Sequence, residues 1–232
     1  MNSGAVLHVA IVGSRGRMGR FAADLLGRTS GFAVAATIDR GDDLARCLRA
    51  SKAEVGLDLT RAGLGFEHGL TMLECGVRPV IGTSGVSLEE NARLDAAARE
   101  LALGGLVVPN FSVGMWLLQQ AAVAGARAFE RAEIIEMHHE RKQDAPSGTA
   151  LDTAERMQSA RGGGSGEIPI HSVRLPGLYA HQLVILGGAG ETYTLRHDMS
   201  GPEAFATGIL ASLRHAAKAL GIGRGIGVAL EP

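Results

Sequence analysis

Apolar positions follow two alternating rhythms through the first half of the chain. Val6 to Val12, Phe32 to Ile38, Val55 to Leu59, Val77 to Ile81 and Leu106 to Val108 are short, nearly unbroken apolar runs. Such runs predict strands buried on both faces. Between them, Met18, Phe21, Ala22, Leu25 and Leu26, then Phe66, Leu70 and Leu73, then Leu94, Ala98 and Leu101 recur at three- and four-residue spacing, which predicts helices. Strands alternating with helices imply crossover units and a parallel sheet covered on both sides.

After Pro109 the texture changes. The pattern predicts a helix from Met115 to about Phe129, a strand over Glu133–Met137, a polar segment from His138 to Ser147 and a short helix near Ala150 to Met157. A mobile Gly-rich loop is expected from Arg161 to Gly166. Three further strands are predicted over Ile170–Leu175, His181–Leu186 and Glu191–His197, and their short connections favour antiparallel pairing. Phe205, Ile209, Leu213, Ala216 and Leu220 mark a long final helix.

Composition narrows the classes. The chain has 232 residues, 46% hydrophobic and 20% charged, as in an ordinary globular protein of one large or two small domains. A formal net charge of -1 gives no electrostatic reason to expect nucleic acid or a membrane surface as partner. No apolar run approaches the length of a membrane span. Met1 to Gly4 form a short polar lead without the features of a secretory signal, so the expected location is the cytoplasm. Cys47 and Cys75 lie in helix-like patterns without metal-ligand spacing; both are expected to be reduced structural thiols, with no metal site.

The first strand runs into Gly13-Ser14-Arg15-Gly16-Arg17-Met18-Gly19, which opens a helix. Glycine there allows a tight turn and close approach to a pyrophosphate, while the helix N-terminus offers N–H groups and partial positive charge. The spacing is G-x-x-G-x-x-G rather than the commoner G-x-G-x-x-G, and its place between strand and helix at the chain start supports a dinucleotide-binding Rossmann domain. Asp39-Arg40 closes the second strand, where an acid binds the ribose hydroxyls of NADH and an arginine pairs with the extra phosphate of NADPH. Gly82-Thr83-Ser84-Gly85 and Val108-Pro109-Asn110-Phe111-Ser112 follow later strands, at the end of the sheet where a nicotinamide would lie.

The segment from Glu133 to Leu151 is the richest in chemistry. His138 and His139 are adjacent, and Lys142 follows four residues after the first. A histidine exchanges protons near neutral pH, and a lysine among cations releases its proton more readily. Ser147-Gly148-Thr149 reads as a helix start that presents donors to a carboxylate. The same residues also suit a solvated basic loop ahead of a capped helix.

Here the chain closely resembles the 4-hydroxy-tetrahydrodipicolinate reductases. Glu133 to Leu151 is similar to that family's signature E-I-I-E-x-H-H-x-x-K-x-D-A-P-S-G-T-A-L. The resemblance extends to Gly13 through Arg20, Asp58-Leu59-Thr60, Gly82 through Gly85 and Asn110 through Gly114, in family order over most of the chain. It implies an α/β chain: an N-terminal Rossmann domain (residues 1–109 with 203–232) and a C-terminal α+β domain with an open mixed sheet (residues 110–202), for substrate binding and homotetramer assembly. It implies NADPH- or NADH-dependent reduction of a cyclic dicarboxylate, with loss of water, in diaminopimelate and lysine biosynthesis. His138 and Lys142 would be the catalytic proton donors and acceptors. His139, Gly148 and Thr149 would hold the substrate. Gly13, Ser14, Arg15, Gly16, Arg17, Met18, Asp39, Arg40, Gly82, Thr83, Ser84, Val108, Pro109, Asn110 and Phe111 would contact the cofactor.

The chain departs from the family pattern in three places. The Arg40–Val55 segment is short, Arg15 replaces a small residue, and Asp198-Met199-Ser200-Gly201-Pro202 replaces a basic, Ser-rich run. Two rival readings are a different small-acid dehydrogenase on the same architecture and a nucleotide sensor that has lost its chemistry.

Overall fold

Val9, Ala10 and Ile11 are wholly buried on an interior strand of a six-stranded parallel sheet, which is where an unbroken apolar run belongs. In this computed structural model residues 5–162 and 166–230 are described. The sheet is built from β1 (Leu7–Val12), β2 (Phe32–Ile38), β3 (Val55–Asp58), β4 (Arg78–Ile81), β5 (Gly104–Val107) and β10 (Gly221–Arg224), in the order β10-β5-β4-β3-β1-β2. Between these strands run α1 (Arg17–Arg28), α2 (Leu44–Ala50), α3 (Gly65–Glu74) and α4 (Leu88–Glu100). In α1, Ala22, Leu25 and Leu26 form the buried stripe that the spacing predicts. Ser87 and Glu90 close a reciprocal capping box at the start of α4. Strand order reverses beside β1: β2 lies on one side and β3 on the other, which puts the crevice for a nucleotide at their carboxyl ends.

The second sheet has four strands in the order β7-β6-β8-β9: β6 (Arg131–His138), β7 (Ile170–Arg174), β8 (Ala180–Gly188) and β9 (Glu191–Met199). Ala132, Ile134, Val184 and Leu186 on one face join a single core with Met115, Leu118, Ala122 and Ala126 of α5 (Val113–Ala128) and Ala150, Ala154 and Met157 of α6 (Gly148–Ala160). The alternate residues, Ile135, Met137, Leu183 and Ile185, are half-buried in the single chain. A 3-10 turn (Pro202–Phe205), α7 (Ala206–Ala216), β10 and α8 (Gly227–Leu230) complete the chain.

By its contacts the chain divides into two compact units, Met1–Phe111 with Phe205–Pro232, and Ser112–Ala204. Phe111 belongs with the first unit because its ring lies against Gly82 and its carbonyl against Gly208.

Three expectations are corrected. β7 does not pair antiparallel with β8; it pairs parallel with β6, so the chain leaves β6 through α6 and returns alongside it. The final helix ends at Ala216, and Gly221–Arg224 becomes the sixth parallel strand instead of the helix tail. The short Arg40–Val55 segment keeps a helix, α2, capped by Asp43. Met1 to Gly4, and residues 163–165 of the expected Gly-rich loop, lie outside the described residues. Cys47 and Cys75 are free thiols. No helix among the described residues is long and apolar enough to cross a membrane.

Candidate active site

Gly13 sits in the left-handed region at φ +87°, and a Cβ there would lie 3.0 Å from the Leu59 carbonyl oxygen. Only glycine relieves both restraints. A Cβ on Gly19 would come within 2.1 Å of the Gly13 carbonyl oxygen, so this glycine lets α1 pack directly beneath the turn. α1 begins at Gly16 without a side-chain cap and has no acid in its first turn. Its N–H groups and dipole therefore suit a phosphate, and the residues present fit a dinucleotide.

Asp39 already holds this loop: it accepts hydrogen bonds from Ser14 Oγ (2.5 Å) and from the Arg15 N–H (2.9 Å). The Ser14 hydroxyl and then the Arg15 N–H keep its carboxyl below the usual range. Arg40, next along, is exposed. Gly82, Leu59 and Phe111 meet closely: a Cβ on Gly82 would lie 2.5 Å from the Phe111 ring. Beneath them Asp58, 0% exposed, accepts from Thr60 N–H (2.9 Å), Thr60 Oγ1 (2.6 Å) and His68 Nδ1 (3.1 Å). Burial alone would raise its carboxyl, but these hydrogen bonds outweigh burial and lower it.

In the second unit the sheet delivers the chemistry. Residues two apart on a strand share a face, so Glu136 and His138 of β6 point the same way. In the parallel register Ser172 lies opposite Glu136, and Arg174 opposite His138. Glu136 accepts from His138 Nδ1 (2.5 Å) and from both Arg174 terminal nitrogens (2.9 and 2.7 Å). Burial would raise the Glu136 carboxyl, but bonds from Arg174, Ser172 and His138 hold it below its ordinary value. Burial lowers the proton affinity of His138; Glu136 opposes this, and the Lys142 and Arg174 charges reinforce it.

A turn closed by the Lys142 N–H on the His139 carbonyl (3.1 Å) brings Lys142 back towards the end of β6. The expected cationic neighbours of Lys142 are joined by an acid: its Nζ donates to both Asp144 oxygens at 2.8 Å. His139 Nδ1 is buried without a hydrogen-bond partner. Ser147 caps α6 by accepting from the Ala150 N–H (3.2 Å), while Gly148 is exposed and a Cβ there would meet nothing within 4 Å. His138, His139, Lys142 and the α6 N-terminus therefore share one loop at the end of β6.

Two residues with a part in this arrangement were not singled out from sequence. Glu136 had a signal: it is a charged residue in phase with the buried Ala132 and Ile134. Arg174, 38 residues downstream, had none before the β6–β7 register was known. The same holds for the pairing of His197 Nε2 with Ser112 Oγ (3.2 Å), and for His68. The divergent loop starting at Asp198 is anchored locally, with Asp198 paired to His181 and Arg196 and Met199 buried.

A Rossmann domain that suits a dinucleotide, and a mixed-sheet unit that presents imidazole, ammonium and an exposed helix start, fit the class of oxidoreductases. In fold the chain is similar to scyllo-inositol dehydrogenase from Lactobacillus casei with bound NAD(H) and scyllo-inositol, at TM-score 0.65 and 10% identity over 97% of this chain and 93% of that one. Residues 7–111 match the family model "Dihydrodipicolinate reductase, N-terminus", and residues 113–224 match "Dihydrodipicolinate reductase, C-terminus". The chain is 41% identical to the 4-hydroxy-tetrahydrodipicolinate reductase of Geobacillus kaustophilus, over 88% of this chain and 91% of the relative. It is 38% identical to that of Moorella thermoacetica, over 98% and 99%. A dipicolinate-bound dihydrodipicolinate reductase from Paenisporosarcina sp. TG-14 superposes at TM-score 0.85 with 35% identity, over 95% of this chain and 98% of that one. The chain belongs to the dihydrodipicolinate reductase family, oxidoreductases of lysine biosynthesis. The other-dehydrogenase and sensor readings are set aside.

Proposed function

We propose the following division of labour for the activity the chain shares with its family, reduction of 4-hydroxy-tetrahydrodipicolinate on the route to diaminopimelate and lysine. The first unit binds NADPH or NADH through Gly13–Met18, Asp39, Arg40, Gly82–Ser84 and Val108–Phe111. When bound, the reduced nicotinamide supplies the hydride. The second unit holds the dicarboxylate: His139 contacts it, and Gly148 and Thr149 receive a carboxylate at the start of α6. A dipicolinate-bound relative supports a ligand of this class.

Loss of the 4-hydroxyl as water leaves a conjugated ring, and the ring becomes electron-rich as hydride arrives. A proton must then come from the protein. Lys142 Nζ carries protons to give, and Asp144 steers it. His138, neutral at rest because burial disfavours its cation, exchanges a proton through its free nitrogen. The dianionic substrate favours the cationic form of His138 while it is bound.

The observation that carries this reading is one loop holding His138, Lys142 and the α6 N-terminus together. The test is Lys142→Ala. Turnover should fall on the order of 100- to 10,000-fold, while the cofactor dissociation constant stays nearly unchanged. Wild-type turnover in that variant removes lysine from the mechanism.

The half-buried row Ile135, Met137, Leu183 and Ile185 supports assembly through the second sheet into a homotetramer. Light scattering should give about four times the chain mass, and a monomer at micromolar concentration would rule this out.

A further inference from the structure

We propose that Glu136 is a positioning residue: it holds the His138 imidazole as the tautomer protonated on Nδ1, so that Nε2 is the proton-exchanging atom, and with its other oxygen it sets the α6 N-terminus that receives the substrate's carboxylate. This rests on the proton role given to His138 above.

The hydrogen bonds decide the tautomer. An ionised carboxylate has no proton, so the hydrogen between Glu136 Oε2 and His138 Nδ1, 2.5 Å apart, belongs to the imidazole. A neutral imidazole carries one ring hydrogen, which leaves the lone pair on Nε2. Glu136 stays ionised although it is 0% exposed, because Arg174 clamps it with two nitrogens. The same clamp makes the carboxylate a weak base that leaves the proton on the imidazole. Glu136 Oε1 also accepts the Ser147 N–H at 3.2 Å, one residue ahead of Gly148. Arg174 further donates to the Asp144 carbonyl oxygen at 2.7 Å, pinning the stretch between Lys142 and α6. One buried ion pair thus orients the proton-exchanging ring, the loop and the anion-receiving helix start together.

Solid-state 15N spectra of histidine-labelled protein, assigned by difference with His138→Gln, read the tautomer directly. The intact enzyme should show a protonated Nδ1 and an unprotonated Nε2 for His138; the opposite tautomer overturns the proposal without any variant. Glu136→Gln is the second arm. Arg174 draws the amide oxygen to itself, which turns the amide NH2 towards His138 and favours the Nε2–H tautomer. kcat should fall on the order of 100-fold or more, with unchanged cofactor affinity, and His138 should titrate at lower pH because the opposing negative charge is gone. Glu136→Asp, which keeps the charge, should recover the Nδ1–H tautomer and part of kcat. If Glu136→Gln fails to fold because Arg174 is left unpaired, Glu136→Gln with Arg174→Met removes both charges; the Ser147 N–H still draws the amide oxygen, which leaves the amide NH2 facing His138 and the same tautomer change expected.

Wild-type tautomer, titration and kcat in Glu136→Gln overturn the proposal. Full turnover in His138→Gln overturns the catalytic reading instead, and leaves the tautomer assignment intact.

Discussion

Arg40 is exposed one residue past Asp39, whose carboxylate is already engaged by Ser14 and Arg15. The acid therefore organises the Gly-rich loop, and in the proposed cofactor site the guanidinium is the group left to read the far end of the adenosine. Arg40→Ala should raise the KM for NADPH on the order of tenfold, the loss of one or so charge-assisted hydrogen bonds, and change the KM for NADH far less. Equal changes for the two cofactors would show that Arg40 does not contact the phosphate. Residues of this kind were legible before the fold was known, because Gly13, Asp39, His138 and Lys142 each sit at a fixed offset from a strand or helix that the hydrophobic rhythm locates. Their partners were not. Asp39 meets Ser14 across 25 positions and Glu136 meets Arg174 across 38, and no local pattern records such pairings.

At the scale of the element, the cap of α6 ties helix stability to the proposed binding site. Ser147 accepts the Ala150 N–H through its hydroxyl and donates its own N–H to Glu136. Ser147→Ala should destabilise the protein by about 1 kcal/mol in urea unfolding and raise substrate KM, because the first turn of α6 frays at the proposed carboxylate site. A stability loss with unchanged KM would separate the cap from the binding site. Long periodic elements such as α1 and β6 could be read from the pattern alone. β10 could not: its four residues, Gly221, Ile222, Gly223 and Arg224, carry one apolar side chain and follow a helix. They form a strand because β5 offers an open edge to pair with. The parallel course of β7 was hidden for a related reason: short connections favour hairpins, yet the strand reached after α6 lies beside β6.

For the whole molecule, buried titratable groups set the response to pH. Burial lowers the proton affinity of His138, His197 and His215 from the ordinary value of 6.5. The unfolded chain then binds more protons than the folded one as pH falls below about 6.5, so stability drops. The depressed carboxyls of Glu136 and Asp58 add a second loss below about 4.5, as they are forced to protonate. Melting temperature should therefore decline from pH 7.5 to pH 5 and more steeply beyond. His197→Gln should flatten the first part of that decline, since its buried ring is one source of it. A melting temperature that rises on acidification to pH 5 would contradict these assignments.

Periodicity, turn glycines and the run from Glu133 to Leu151 were enough, read along the chain, to locate the alternating strands and helices, a Gly-rich turn between strand and helix, and a stretch that resembles a reductase signature. These features survive without a fold because each is local: a strand, a turn or a capped helix is specified by residues within a few positions of one another. The return of the last segment as a sixth strand, the course of β7, and the buried carboxylate that links His138, Arg174 and the start of α6 depended on tertiary structure. They arise where distant segments meet, and burial decides there which charges must pair and which edges must be filled.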